Sequence, residues 1–477
     1  MRILHVSAEC YPLAKAGGLA DVVGALPKYQ NKLGHQAMVV MPYYQTKYIL
    51  NCELEKIQDG SVWLGAYEFR YSLLKLPKEK LGFEVTLVKV EKLLDRPQIY
   101  SYGDDIERFF AFQKIVLQWI ASFHDMPDIV HCHDHHTGLI PFMMAQSFHY
   151  KALAYIPTVF SIHNAQYQGN FGYDKLHYFP DFDRRNSGLL DWNLQINSLA
   201  TAIKTAWKVT TVSKTYLKEL SESAAGLESL LRNEAGKSHG ILNGIDTETW
   251  NPETDTMLVA NYSAENWDTG KQQNKNFLCK KFNLNPNLPL FIFIGRLVYE
   301  KGADLLPGIV YESLSRFNSK INLLILGSGD QRIERDLENL KRQFPKNYNA
   351  YIGYNEELSH IMYAGADFLL MPSRVEPCGL NQMYALRYGT IPIVRRTGGL
   401  KDTVKDFGEE GGFGVCHDQN SVWDATYSIT RAIKLSEDQE RFNQIKTQIM
   451  AIDHSWDLTA TDYINLYNKL INKIVDE

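Results

Sequence analysis

Several stretches of the chain carry residue types whose spacing can do chemistry. In "IGRLVYEKGAD", Arg296 follows an apolar run, and Lys301 stands just before Gly302. Two cations converging at a strand end can clamp a diphosphate and offset negative charge growing on a leaving group. The same composition also suits a solvated loop with ordinary salt bridges. In "SRVEPCGLNQMYALRYG", Glu376 lies between an apolar run and a helical pattern that Cys378 and Gly379 open. A carboxylate beside exposed backbone amides can hydrogen-bond several sugar hydroxyls at once; it can equally be a helix-start carboxylate stabilised by the dipole.

The third feature occurs twice. "KAGGLADVVGALP", from Lys15 to Pro27, and "RTGGLKDTV", from Arg396 to Val404, both read GGL, any residue, Asp, any residue, Val. The first copy contributes Gly17, Gly18 and Asp21, and the second contributes Thr397, Gly398 and Gly399. A glycine pair at a helix start lets a ligand approach the backbone, and the free N–H groups there favour an anion. Lys15 adds a mobile positive charge. Tight turns use glycine as well, but two matching copies in two similar halves shift the balance toward ligand binding. "RTGGL" in the same half as Arg296 and Lys301 likewise favours the clamp.

"HCHDHH", residues 131 to 136, invites comparison with the metal-binding pattern HxHxDH, which needs aspartate at the fifth place. Here Asp134 is fourth. On a strand, His131 and His133 share one face and Asp134 points oppositely. The expectation is no metal site, with Asp134 reaching from a strand end into a cleft. His163, in "FSIHNAQYQG", ends the next strand and can reach the same space; alone it would read as structural.

Elements must place these residues. "RILHVSAE" reads as a buried strand, Gly18 to about Leu33 as a helix, and "QAMVVMP" as a second strand, which makes a right-handed parallel unit. The helix has Leu19, Val22, Val23, Leu26 and Tyr29 on one face. Further strands are "FEVTLVKV", "DIVHCHD", "TVFSIHN" and "KVTTVS", with helical stretches such as "ERFFAFQKIVLQWIASF" between strands. "ILNGIDTETWNPETD" and the polar stretch ending "NLNPNLP" read as an inter-domain passage. A second series then runs through "LFIFIGRL", "INLLILGSG", "NAYIGY", "DFLLMPS" and "TIPIVRR". A tail from Trp456, with Tyr463, Leu466, Tyr467, Leu470 and Ile474 at helical spacing, is expected to dock. The expected fold is α/β, two doubly wound Rossmann-like domains facing a central cleft: residues 1–243, 244–455, and a terminal helix 456–477 packing back on the first. Ligands of open parallel sheets bind at the carboxyl ends of the strands.

At 477 residues, with 45% hydrophobic and 22% charged residues, the chain has ample core for two domains. A net charge of -5 provides no field that recruits nucleic acid or an anionic membrane. Six cysteines, at 10, 52, 132, 279, 378 and 416, form no CxxC pair, which fits a reducing compartment. The first residues lack the pattern of a signal peptide, and no apolar run has the length of a membrane span. A cytoplasmic protein is expected.

Taken together, "KAGGLADVVGALP", "HCHDHHTGL", "SIHNAQYQG", "ILNGIDTETWNP", "GRLVYEKGAD" and "SRVEPCGLNQMYALRYGTIPIVRRTGGLKDTV" closely resemble the bacterial glycogen synthases and plant starch synthases. The resemblance runs over nearly the whole chain. It implies the glycosyltransferase B architecture, transfer of glucose from ADP-glucose to the non-reducing end of an α-1,4-glucan with retention at the anomeric carbon, and no metal or cofactor. It further implies that Lys15 and the amides of Gly17 and Gly18 face the donor. Arg296 and Lys301 would hold the diphosphate with amides near Thr397 and Gly398, and Tyr354 would pack near adenine. Glu376, Cys378 and Gly379 would bind the 3- and 4-hydroxyls, His163 and Asn243 the 6-hydroxyl, and Asp134 would lie by the reacting centre and the acceptor.

Three departures stand out. Ala16 replaces the usual threonine of KTGGL, His135 replaces a frequent tryptophan, and Tyr384 stands where many enzymes of this fold have a second glutamate. The last is usual in the glycogen and starch synthases. With no carboxylate nucleophile identifiable, same-face attack is preferred to a covalent intermediate, and closure hinged near residues 243–250 would exclude water. Rivals are the same fold using UDP-glucose or another acceptor, and a non-catalytic glucan-binding relative. A dinucleotide-dependent oxidoreductase is set aside because no GxGxxG follows the first strand.

Overall fold

The computed structural model describes residues 1–317 and 319–476, with side chains through residue 472. The chain divides into two compact units: residues Met1–Leu242 with Trp456–Glu477, and residues Asn243–Ser455.

The first unit contains β1 (Arg2–Val6), β2 (Gln36–Pro42), β3 (Glu55–Leu64), β4 (Tyr67–Leu76), β5 (Glu84–Val90), β6 (Ile129–His133) and β7 (Thr158–Ile162). It continues with β8 (Asn170–Phe171), β9 (Asp191–Trp192), β10 (Gln195–Asn197), β11 (Lys208–Thr211) and β12 (Ser238–Gly240). A 9-stranded sheet has the order β12-β11-β7-β6-β1-β2-β5-β4-β3, and β8-β10-β9 form a small separate sheet. From β12 to β5 the neighbours are parallel. The antiparallel pair β3 and β4 extends the sheet beyond β5, an addition to the all-parallel reading. Their alternation is weak, because much of β3 is exposed.

The helix Gly18–Lys32 buries the expected face of Leu19, Val22, Val23, Leu26 and Tyr29. Pro27 lies inside it and cannot donate to the carbonyl of Val23. The Cys10 thiol, 3.6 Å from that carbonyl oxygen, donates instead. The helix Trp456–Asp476 docks on this unit: Trp456, Tyr463, Leu466, Tyr467 and Leu470 join Ile3, Leu26, Tyr29 and Ile129 in one core cluster. The side chain of Ile474, the last member of that stripe, lies outside the described residues.

The second unit holds β13 (Leu290–Ile294), β14 (Asn322–Gly327), β15 (Tyr348–Ile352), β16 (Phe368–Met371), β17 (Ile391–Arg395) and β18 (Val415–His417). Their order, β15-β14-β13-β16-β17-β18, is that of a dinucleotide-binding sheet, and all neighbours are parallel. Alternate residues go to opposite cores. Phe291, Phe293, Leu323, Ile325, Phe368 and Leu370 face one cluster, while Leu290, Ile292, Leu324, Leu326 and Leu369 face the other. Burial of both faces explains why these strands read as continuous apolar runs.

From Asn243 onward, the stretch expected as an inter-domain passage belongs to this unit. It contains the helix Trp267–Phe282, which crosses the helix Glu356–Gly365 closely enough that a Cβ on Gly365 would lie 2.8 Å from the Lys275 nitrogen. Trp250 is sandwiched between His360 and Tyr384, with ring centroids 3.8 Å from each. The polar composition of the stretch disguised its helix, which buries only a narrow stripe that includes Gly270, Asn274 and Leu278.

Candidate active site

In a doubly wound sheet the chain leaves a gap where the strand order reverses, and loops on both sides open there. In the first unit the reversal lies between β1 and β6, and in the second between β13 and β16. The first reversal has the Glu9–Gly18 loop on one side and Asp134 on the other. The second has Arg296 and Lys301 opposite Glu376.

In the first unit, Gly17 caps the helix Gly18–Lys32 in extended conformation. A Cβ built on Gly17 or Gly18 meets nothing within 4 Å, so packing does not require these glycines. The amide expected to face a donor is partly engaged. Glu9 Oε2 accepts from the N–H groups of Ala16, at 2.5 Å, and Gly17, at 2.9 Å. Glu9 Oε1 accepts from the Tyr100 hydroxyl at 2.6 Å. The loop thus carries its own anion on the Gly17 N–H. Lys15 pairs with Asp21 at 2.6 Å and remains half-exposed.

Asp134 lies just beyond β6 at φ 55°, ψ 176°, a backbone region nearly reserved for glycine that costs about 1–3 kcal/mol. Such strain persists only where the surroundings hold it. Here Asp134 Oδ1 accepts from the His163 N–H at 2.7 Å and from the Asn164 N–H at 3.4 Å, while the Asp134 N–H donates to the Ser161 carbonyl. Burial pushes its carboxyl up to about 7, against the pull of those amides and with a further push from Glu9. His131 and His133 share a face, as expected on a strand, with ring centroids 4.1 Å apart. His135 packs on His136 at 3.7 Å and against Gly169, where a Cβ would lie 2.6 Å from its ring.

In the second unit, Arg296 is exposed beyond β13. Gly302 (φ 66°) turns the chain so that a Cβ there would strike the Pro372 carbonyl at 2.1 Å. That close approach delivers Lys301 to Glu376: its Nζ lies 2.7 Å from each carboxylate oxygen, and the Ser373 hydroxyl donates to Oε2 at 3.0 Å. Glu376 is 4% exposed. Asn381 ties the helix Asn381–Arg387 to the end of β13 by donating to the Ile294 carbonyl at 2.7 Å.

The second glycine pair differs from the first. A Cβ on Gly398 (φ 45°) would lie 2.1 Å from the Glu376 carbonyl oxygen, and one on Gly399 2.0 Å from that of Cys378. The Gly399 N–H donates to the Glu376 carbonyl at 3.0 Å, and the Thr397 N–H to that of Arg395 at 2.9 Å. These glycines let the segment 376–378 lie directly on the turn, so here the same motif serves as a seat. Gly379 (φ 75°) faces Gln382. The Cys378 thiol is pushed up to about 12 by burial, with the Asn243 N–H opposing. Asn243 Oδ1 is buried with no partner among the described residues, the state of a group that awaits one. Tyr354, beyond β15, is 83% exposed.

Sequence reasoning missed Glu9, Tyr100 and Ser373. Glu9 had the signal that singled out Glu376: a carboxylate directly after an apolar strand. Tyr100 had none, because it reaches Glu9 from a loop distant in sequence.

Residues 2–233 match the model of the starch synthase catalytic domain, and residues 274–448 that of glycosyl transferases group 1. A glycogen synthase of Flavobacterium johnsoniae is 56% identical over 473 residues, spanning 99% of this chain and all of its own. One of Geobacillus thermodenitrificans is 38% identical over 99% of this chain and 98% of its own. Among solved structures, the catalytic domain of starch synthase IV from Arabidopsis thaliana, bound to ADP and acarbose, superposes with a TM-score of 0.88 at 32% identity, over 99% of each chain. Two Rossmann-like units with charged clusters at both strand reversals define a glycosyltransferase of the B architecture. Within that class the chain belongs to the glycogen synthase family, and its activity is that of a glycogen synthase.

Proposed function

We propose that the donor is ADP-glucose and that glucose passes, with retention, to the non-reducing end of an α-1,4-glucan. The arrangement that carries this reading is Arg296 and Lys301 on one side of the β13/β16 reversal with Glu376 on the other. Arg296 makes no ion pair or hydrogen bond among the described residues, so its five donors are available for a diphosphate. Lys301 adds a second cation, already fixed in place by Glu376. Together they offset the charge that grows on the departing nucleotide, and the step draws on no metal and no cofactor. The ADP held by the Arabidopsis relative supports this choice of donor.

Glu376, with Cys378 and Gly379, is assigned the 3- and 4-hydroxyls of the donor glucose. His163 and Asn243 Oδ1 are assigned its 6-hydroxyl, Lys15, Gly17 and Gly18 the donor, Thr397 and Gly398 the diphosphate, Tyr354 the adenine, and Asp134 the acceptor. The acceptor's 4-hydroxyl attacks the anomeric carbon on the face from which ADP leaves. The bond from carbon to the phosphate oxygen breaks, the new glycosidic bond forms, and the hydroxyl proton passes to the departing phosphate. The partners are a nucleotide sugar and a glucan. No helix among the described residues is long and apolar enough to cross a membrane. The free cysteines, mostly buried, support a cytoplasmic setting.

The test is the rate of nucleotide release from ADP-glucose in Arg296→Ala and Lys301→Ala. Each is expected to lose about 100-fold or more in kcat, the usual cost of removing one group that stabilises a transition-state charge. Wild-type kcat in either variant would remove the clamp from the account.

A further inference from the structure

Behind His163 runs a row of buried polar side chains that the proposed chemistry does not use. His163 Nε2 lies 3.0 Å from His133 Nδ1, His133 Nε2 3.0 Å from His5 Nδ1, and His5 Nε2 2.8 Å from Gln30 Oε1. Gln30 Nε2 then lies 3.4 Å from the Tyr467 hydroxyl, which is 2.7 Å from His131 Nδ1. His131 Nε2 is 2.6 Å from Ser161 Oγ. The row joins β1, β6, the residue after β7, the helix Gly18–Lys32 and the helix Trp456–Asp476, all within the first unit.

The imidazoles of His5, His131 and His133 offer nitrogens within 4.8 Å of one another, a spacing that could hold a cation. All six of their ring nitrogens are already spent on hydrogen bonds within the protein. No lone pair is left to coordinate, so the cluster is a hydrogen-bonded row.

Its direction follows from proton counting. Burial pushes His5 down to about 4 and His163 to about 3, and holds His131 and His133 well below the ordinary range, so the rings are neutral near neutral pH. A neutral imidazole has one N–H and one lone pair, and every link needs one of each. Gln30 Oε1 can only accept, so His5 carries its proton on Nε2 and accepts at Nδ1. His133 must then donate from Nε2 and accept at Nδ1, and His163 must donate from Nε2. The Nδ1 of His163 is left as a bare lone pair with no partner among the described residues. At the other end the Tyr467 hydroxyl accepts from the Gln30 amide nitrogen and lies within hydrogen-bond distance of His131 Nδ1.

We propose that Gln30, His5 and His133 are positioning residues that lock His163 in its Nε2–H tautomer, so that Nδ1 is presented as an acceptor for a substrate hydroxyl. This rests on the assignment of His163 to the donor sugar. A hydroxyl that donates to Nδ1 is held in one orientation, and a substrate lacking that hydroxyl leaves the nitrogen unpaired, which makes the row a source of specificity.

The test reads ring protons directly in the full chain, without substrate. Long-range proton–nitrogen spectra of protein labelled with 15N-histidine, recorded at about pH 7.5, report which nitrogen of each ring is protonated. Nε2–H is expected at His5, His133 and His163. Gln30→Met keeps the volume and removes the accepting oxygen; His163 is then expected to populate both tautomers, with kcat/KM for glucosyl transfer lowered about tenfold, the worth of one hydrogen bond. A proton on His163 Nδ1 in the unaltered protein overturns the proposal, whatever the variant does. So does an unchanged Nε2–H signal in folded Gln30→Met. Ring protons as expected without glucosyl transfer would instead count against the reading of the site.

Discussion

Lys301 Nζ sits 2.7 Å from both carboxylate oxygens of Glu376, across the reversal between β13 and β16. The carboxylate is buried and the ammonium is partly exposed, so the pair is unequal: Glu376 depends on Lys301 more than the reverse. Among the described residues, Lys301→Ala leaves a buried carboxylate with only the Ser373 hydroxyl. It is expected to cost about 1–3 kcal/mol in thermal or urea unfolding, less than a fully buried pair because Lys301 reaches water. Glu376→Gln, which keeps an acceptor, should cost less stability while still depressing the transfer rate.

The two glycine pairs should answer differently to alanine. Gly18→Ala places a Cβ in open space at the first helical position, so stability should stay within about 0.5 kcal/mol or rise. A raised KM for the donor with an unchanged melting temperature is the outcome expected if ligand approaches this turn. Gly398→Ala and Gly399→Ala drive a Cβ into the carbonyls of Glu376 and Cys378. They should lower the melting temperature and the transfer rate together, because the seat of Glu376 moves.

Asp134, pushed up to about 7 by burial, should impose an acid limb on kcat/KM with a midpoint near that value, since the free carboxylate is the form that can accept from an acceptor hydroxyl. Asp134→Asn keeps an acceptor for the His163 and Asn164 amides and removes a charge that burial disfavours. At alkaline pH this variant should be at least as stable as the unaltered protein, yet slower by about 100-fold or more. A pH profile whose acid limb survives in the variant would assign that limb to another group.

Acid should unfold the first unit early. His5 and His135 are held down at about 4 and His163 at about 3 by burial. The unfolded chain takes up those protons below about pH 6.5 and the folded chain does not, so stability falls as pH drops from there toward about 4. Each such histidine contributes a slope of about 1.4 kcal/mol per pH unit in that window, and Asp134, whose carboxyl is shifted upward, opposes with one slope of the other sign. Urea midpoints measured between pH 8 and 5 check the sum; a flat profile would show that the rings are already charged in the folded state.

Much of the frame was legible because parallel strands buried on both faces announce themselves as apolar runs, as "LFIFI" and "NLLILG" do. The repeated GGL also pointed to the strand ends, although its two copies turned out to have different physical reasons. The antiparallel pair β3 and β4 was not legible, since an exposed edge pair with residues such as Glu55, Lys56 and Glu68 lacks a clear apolar period. Nor was the backbone of Asp134, whose φ 55° is imposed by the strand ends around it. The histidine row was hidden for a third reason. His5 and Tyr467 each fit an apolar face in their own segment, and only the tertiary fold shows that a hydrogen-bond path runs between them.

The most direct test of the central claim mixes purified protein with short maltooligosaccharides and either ADP-glucose or UDP-glucose, and follows nucleotide release, product length and the anomeric configuration of the new bond. Chains lengthened by single α-1,4-linked glucoses, with ADP-glucose preferred, are expected. Growth from UDP-glucose alone would contradict the donor assignment, and release of nucleotide without any lengthened chain would contradict glucan synthesis itself.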